Sequence, residues 1–303
     1  MGTRELLLAS VVPGAIAAVV LAGLWLGLPR LLKKKKWESG GPALALPVLI
    51  AAGMALGSWA WQSDLALWPA NVTQRFPAVA IAILAAGLGT MMVPHRFRLL
   101  IAPVLSALGG GFAAWAFLAP LPDASLGAGA TWGFISLAAG LAAAMGLVLE
   151  ASLEKLAGWA GPALLSMVAG ISALAATQGW ANAPLVIGPV AATLAAAVIP
   201  GLFYRDRSVL PGAGGAVAVA LTAAAVFSNW LGDEVSYRMF TLLALAPLSI
   251  GVVLIPYVAK RSLLVRLAIA AALSLGLAGA QAAIALPELM EAVSPGDDAY
   301  DYY

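Results

Sequence analysis

The chain has no cysteine. Disulfides, iron–sulfur clusters, thiolate metal centres and cysteine nucleophiles are therefore excluded. It has one histidine, His95, and a multi-histidine metal site or a bis-histidine haem needs more imidazoles than that. No metal and no cofactor is expected. Charge is scarce too. Asp, Glu, Lys and Arg make up 10% of the 303 residues, against 62% hydrophobic. Soluble domains carry roughly 25% charged and about 45–50% apolar residues, so this chain lacks the charge to cover a water-facing surface. The formal net charge of +2 gives no reason to expect nucleic acid as a partner. Alternation of polar and apolar residues is also missing, and the strands of a membrane β-barrel require it.

What is present is a series of apolar stretches, at about 6–28, 43–62, 77–93, 99–119, 131–149, 159–177, 184–203, 209–229, 239–258 and 264–286. At 1.5 Å per residue, about 20 residues cross a hydrocarbon core of about 30 Å. The joints between them are too short to hold a soluble domain. The spacing predicts an all-α integral membrane protein, a bundle of about ten transmembrane helices over residues 1–286. An acidic, Tyr-rich tail follows at 287–303. Alanine and glycine dominate the stretches, as close helix packing in lipid favours.

Charge sets the expected sides. Alternate joints collect Arg30, Lys33, Lys34, Lys35 and Lys36, then Arg96 and Arg98, Lys155, Arg205 and Arg207, and Lys260, Arg261 and Arg266. The opposite joints hold only Arg4, Arg75 and Arg238. Cytoplasmic loops carry such an excess of cations, so both termini are expected outside a bacterial-type cytoplasmic membrane. The first stretch has its cations after it rather than before it, the reverse of a secretory signal. The joint from Glu150 to Lys155 fits least well, being slightly acidic.

Few residues suggest chemistry. No Asp, Glu, Lys or Arg falls clearly inside an expected span, which argues against a carrier built on a buried carboxylate. His95 reads as an interfacial residue. Lys33, Lys34, Lys35 and Lys36 with Trp37 suit anionic lipid headgroups, at about 1 kcal/mol per cation. The runs Gly109-Gly110-Gly111 and Gly212-Ala213-Gly214-Gly215 lack the Lys-Ser/Thr ending of a phosphate loop and read as packing surfaces. Gly23…Gly27, Gly53…Gly57 and Gly129…Gly133 have small-residue spacing of the same kind. Pro13, Pro47, Pro103, Pro189 and Pro247 lie inside stretches and should kink their helices. Pro247 with Ser249, in the ninth stretch, is the best candidate for a break lining a cavity. Ser106, Ser136, Ser166, Thr193, Thr222 and Ser249 are scattered hydroxyls. No nucleophile, base and orienting group can be assembled from these residues.

Two functional expectations follow. The first is a non-catalytic accessory or scaffold subunit of a larger membrane assembly. Its docking element is the tail, with Asp297, Asp298 and Asp301 to steer and Tyr300, Tyr302 and Tyr303 to anchor. Its partners are the bilayer and proteins in the membrane or at the outer face. The alternative is a carrier for a small neutral or lipid-like solute.

Overall fold

In lipid the backbone has no outside hydrogen-bond partner, so a long apolar stretch satisfies its own N–H and C=O groups as a helix. The computed structural model of the chain describes residues 12–24, 41–61, 75–118, 128–156, 158–176, 183–203, 212–230 and 246–293. Among the described residues there are helices and turns and no strand. In chain order they form α1 (Val12–Ala22), α2 (Gly41–Trp61), α3 (Phe76–Met92), α4 (His95–Leu118), α5 (Ala128–Lys155) and α6 (Ala160–Ala176). Then come α7 (Ala183–Ala196), α8 (Val198–Phe203), α9 (Ala213–Trp230), a 3-10 helix (Ile250–Leu254), α10 (Pro256–Ala259) and α11 (Leu263–Val293).

Among the described residues, three helical stretches are long and apolar enough to cross a membrane: His95–Leu118, Gly129–Lys155 and Leu185–Phe203. Shorter apolar helices lie at Val12–Ala22, Ala45–Ser58, Phe76–Met92, Ala160–Ala173, Ala213–Ser228 and Leu263–Leu277. These are the features of a membrane-embedded helical protein.

The centre of the fold is α9. Every described side chain from Gly212 to Ser228 is buried. A helix apolar on all sides has no face for solvent and goes to the middle. α3, α4 and α5 pack around it, with α2, α6 and α7 beyond. Glycine makes this closeness possible. A Cβ on Gly109 would lie 2.6 Å from the Val219 side chain, and one on Gly110 would collide with Ala142. The same logic joins α2 to α7 and α3, here with proline as the knob. The Pro189 ring would sit 2.9 Å from a Cβ on Gly57, and Pro47 2.6 Å from one on Gly87. Of the small-residue spacings in the sequence, Gly53…Gly57 seats a neighbouring helix, whereas Gly129 and Gly133 face open space.

The helices of the central group alternate in direction. Phe76 at the start of α3, Phe117 near the end of α4 and Phe227 near the end of α9 meet as a buried triad, with ring centroids 5.0, 5.0 and 5.3 Å apart. Beside them the Arg75 guanidinium donates to the Ala116 carbonyl at 2.8 Å. His95, Glu154 and Gly212 gather at the other end, where Arg266 also donates to the Lys155 carbonyl at 2.6 Å.

Three boundaries differ from the sequence reading. The fifth stretch does not stop at 149, because α5 runs on to Lys155. Glu-Ala-Ser-Leu-Glu-Lys contains no glycine or proline to end a helix. The turn comes later, at Gly158 with φ 63°. α11 likewise continues past 286 to Val293. The ninth stretch is interrupted, but not at Pro247, which lies in a helical turn at 246–249. That turn passes into the 3-10 helix, and the chain becomes extended at Ile255 with φ −62° and ψ 127°. Pro256 follows, and a residue before proline is pushed out of the helical region.

Candidate functional site

The site is built on the α4–α5 hairpin and closed by α9. On α5 the spacing of four puts Ala138, Ala142, Gly146, Glu150 and Glu154 on one face. Ala138, Ala142 and Gly146 let α4 and α9 approach closely. Gly110 lies against Ala142, and Ser106 lies against Gly146. One turn further, the same face presents Glu150, only 3% exposed.

Glu150 is held by the beginning of α9. Its Oε1 accepts the Gly212 amide at 2.9 Å. Gly212 has φ +79°, a conformation that side chains disfavour. A Cβ on Gly214 would sit 2.7 Å from the Glu150 amide nitrogen and 2.9 Å from Oε2. The Gly212-Ala213-Gly214-Gly215 run is thus a packing surface, and the object packed on it is a carboxyl group. A negative group at a helix N-terminus is favoured by the helix dipole. The Arg98 guanidinium on α4 adds a second positive field, and the Gly214 amide a third. Oε2 lies against Gly214, whose amide also favours the carboxylate, but forms no hydrogen bond of good geometry among the described residues.

Hydroxyls continue along α9 from this carboxyl. Ser106 Oγ and Thr90 Oγ1 lie 3.3 and 3.4 Å from the point where a Gly215 Cβ would be. Thr90 donates to the Ala86 carbonyl at 2.8 Å, while Ser106 has no partner among the described residues. Further along, Thr222 sits against Gly110, its hydroxyl also unpartnered. At the outward-going end of Glu150's face the pattern changes. Glu154 Oε1 is 3.2 Å from His95 Nε2, with side-chain exposures of 29% and 72%.

The interrupted ninth stretch carries a second polar group. Ser249 donates to the Ala246 carbonyl at 2.7 Å and pairs with Ser274 of α11 at 2.8 Å. With its one proton committed to Ala246, Ser249 accepts from Ser274. Pro247 is buried beside it.

Of the candidates read from sequence, Pro247 and Ser249 lie in the helical turn at 246–249, ahead of the 3-10 helix and of the break at Ile255. Lys33, Lys34, Lys35, Lys36 and Trp37 lie outside the described residues, as do Asp297, Asp298, Tyr300, Asp301, Tyr302 and Tyr303. The residue that sequence reading assigned to a joint is Glu150. Its signal was the acidic excess of an otherwise basic set of joints. No protein-family model, no curated protein and no solved structure matches the chain.

Proposed function

We propose that the chain is a multi-pass membrane carrier for a small neutral or lipid-like solute. In this reading it has about ten spans, with both termini outside a bacterial-type cytoplasmic membrane. The observation that carries the proposal is Glu150, a carboxyl buried between α4, α5 and α9, with Oε1 held by the Gly212 amide and Oε2 without a well-formed bond. A serine or asparagine would serve as well to cap a helix start. An acid within a membrane span costs up to about 2.5–3.5 kcal/mol at the helix centre, and such residues mark ion and substrate paths; Glu150 lies toward the Lys155 end of the Gly129–Lys155 stretch. The break at Ile255, after the 3-10 helix that follows Ser249, supports the same reading, since discontinuous helices form the substrate sites of many carriers.

The test is transport by the purified chain in lipid vesicles. Stopped-flow light scattering follows entry of glycerol, urea or a hexose, and dithionite bleaching follows flipping of a fluorescent phosphatidylcholine. At least one of these should move faster than in protein-free vesicles and slow when Glu150→Ala is substituted. Vesicles indistinguishable from protein-free ones for every probe would overturn the proposal. The accessory-subunit reading rests on the acidic, tyrosine-rich tail. Inactive vesicles together with stoichiometric partners after mild solubilisation would favour it.

A further inference from the structure

Glu150 is connected to the bundle end by two further titratable groups. His95 is exposed, Glu154 is partly exposed, and Glu150 is buried. The three stand in that order from the surface to the core. His95 and Glu154 are 3.2 Å apart. Glu154 and Glu150 are one turn apart on α5, and side chains at that spacing have Cβ atoms roughly 5–6 Å apart. As a surface ion pair, His95–Glu154 would contribute only about 0–1 kcal/mol, so stability gives little reason for it.

We propose that His95, Glu154 and Glu150 form a proton-entry path that ends on the Glu150 carboxyl. This deepens the carrier reading by naming the ion that would drive it. A proton on His95 Nε2 passes to Glu154 Oε1, leaving a neutral imidazole. Glu154, now a carboxylic acid, turns inward and gives the proton to Glu150 Oε2, becoming a carboxylate again. His95 takes a new proton from water. The net result is one proton moved from the surface to the core. Oε1 accepts the Gly212 amide, so a proton on Oε2 leaves that bond in place.

The charged groups around this path are few. α4 contributes Arg98 and, at the edge, Arg96, while α5 contributes Lys155 beyond Glu154. Arg266 of α11 is held on the Lys155 carbonyl. α3 and α9, the other helices packed on Glu150's surroundings, have no ionisable side chain within their helical residues. Arg98 therefore supplies the fixed positive charge opposite Glu150, and Glu154 the only nearby acid among the described residues.

Infrared spectroscopy of the full chain in lipid tests the path directly. Lowering the pH should raise a protonated-carboxyl C=O band that Glu150→Gln abolishes. Glu154→Gln and His95→Phe should keep the band but slow its appearance after a pH jump by about 100-fold or more, the usual effect of losing a positioned proton donor. Both of these substitutions lie at the accessible end, so they decide the matter even where Glu150→Gln fails to fold. Absence of such a band in the unaltered chain would overturn the proposal, as would unchanged rates in both variants. A chain that shows the band and the slowed rates but moves no solute would leave the path standing and refute the carrier reading alone.

Discussion

Replacing Glu150 separates two opposing effects. The carboxylate gives Gly212 its hydrogen-bond acceptor at 2.9 Å, and it also places a charge where almost no water reaches. Glutamine keeps a carbonyl oxygen at the Oε1 position and removes the charge. Alanine removes both. A buried donor left without a partner costs about 1–3 kcal/mol, and alanine also leaves a gap beneath α9. Glutamine escapes the penalty of burying an ion, which in proteins amounts to several kcal/mol before compensation. Against that stands the lost attraction to Arg98 and to the start of α9. Glu150→Gln should therefore be as stable as the unaltered chain to within about 1 kcal/mol. Glu150→Ala should be less stable than Glu150→Gln by about 1–3 kcal/mol, roughly 5- to 150-fold in the unfolding equilibrium. Unfolding in mixed micelles, followed by far-ultraviolet circular dichroism, measures both. Equal stability of the two variants would show that Gly212 needs no acceptor and that Glu150 does not position α9. Equal destabilisation of both by more than the stated margin would assign the hold to charge rather than to the hydrogen bond.

Gly214→Val should be destabilised by about 1–3 kcal/mol or fail to accumulate. Its Cβ would meet the backbone of Glu150 at 2.7 and 3.0 Å, and a flexible tip that could yield is not what it strikes; Gly129→Val, into open space, serves as the control, and equal yields and unfolding midpoints would refute the packing account. Ser274→Ala should cost about 0.6 kcal/mol, the average for hydroxyl pairs between membrane helices, and Ser249→Ala should add little to it; full additivity in a double-mutant cycle would show that the 2.8 Å pair carries no coupling. In this cysteine-free chain, single cysteines at Asp123 and Asp233 should react with an impermeant reagent from outside intact cells, and one at Lys34 should not, with the reverse result inverting the proposed sidedness. Deleting 297–303 should leave the helical circular dichroism unchanged and weaken any stable assembly, more so at high salt; unchanged partners at unchanged stoichiometry would show the tail to be a soluble end.

The helical, membrane-type character was legible because it rests on quantities summed over many residues, namely scarce charge and long apolar runs. The glycine runs were legible as packing surfaces for the same reason, since no phosphate-loop chemistry accompanies them. Single-residue features were harder. Glu150 reads as a joint because it is the first acid after an apolar stretch. The helix continues because Ala151 to Lys155 are adequate helix formers, and its end is set by Gly158 at φ 63°. A glycine just past the last periodic residue is a stop signal, and weighting it above the acid would have placed Glu150 inside the helix. The ninth stretch shows a related error. Pro247 drew attention as the internal proline, yet the chain leaves helical geometry at Ile255, ahead of Pro256. What proline forbids most strongly is helix at the residue before it.

Glu150 also differs in kind from the other buried polar groups. Ser106 and Thr222 have unpartnered hydroxyls on the seam around α9, but Ser58 on α2 and Ser172 on α6 are in the same condition away from it. An unpartnered hydroxyl in a helix is therefore no marker by itself. Its O–H can rotate onto the carbonyl one turn back, as Thr90 does onto Ala86 at 2.8 Å, and this local bond is open to any serine or threonine in a helix. A carboxylate oxygen has no such recourse, because it holds no proton and a carbonyl accepts but does not donate. Gly212 already serves Oε1, and the Gly214 amide lies beside Oε2 without a well-formed bond, so Oε2 is under-satisfied. Two events would resolve this. A solute carrying an N–H or O–H can donate to Oε2, or Oε2 can acquire a proton and then use the carbonyls as the serines do. The first is the carrier reading and the second is the proton path. Both follow from the same under-satisfied oxygen, which is why substitutions at His95 and Glu154, which leave that oxygen in place, are the ones that tell them apart.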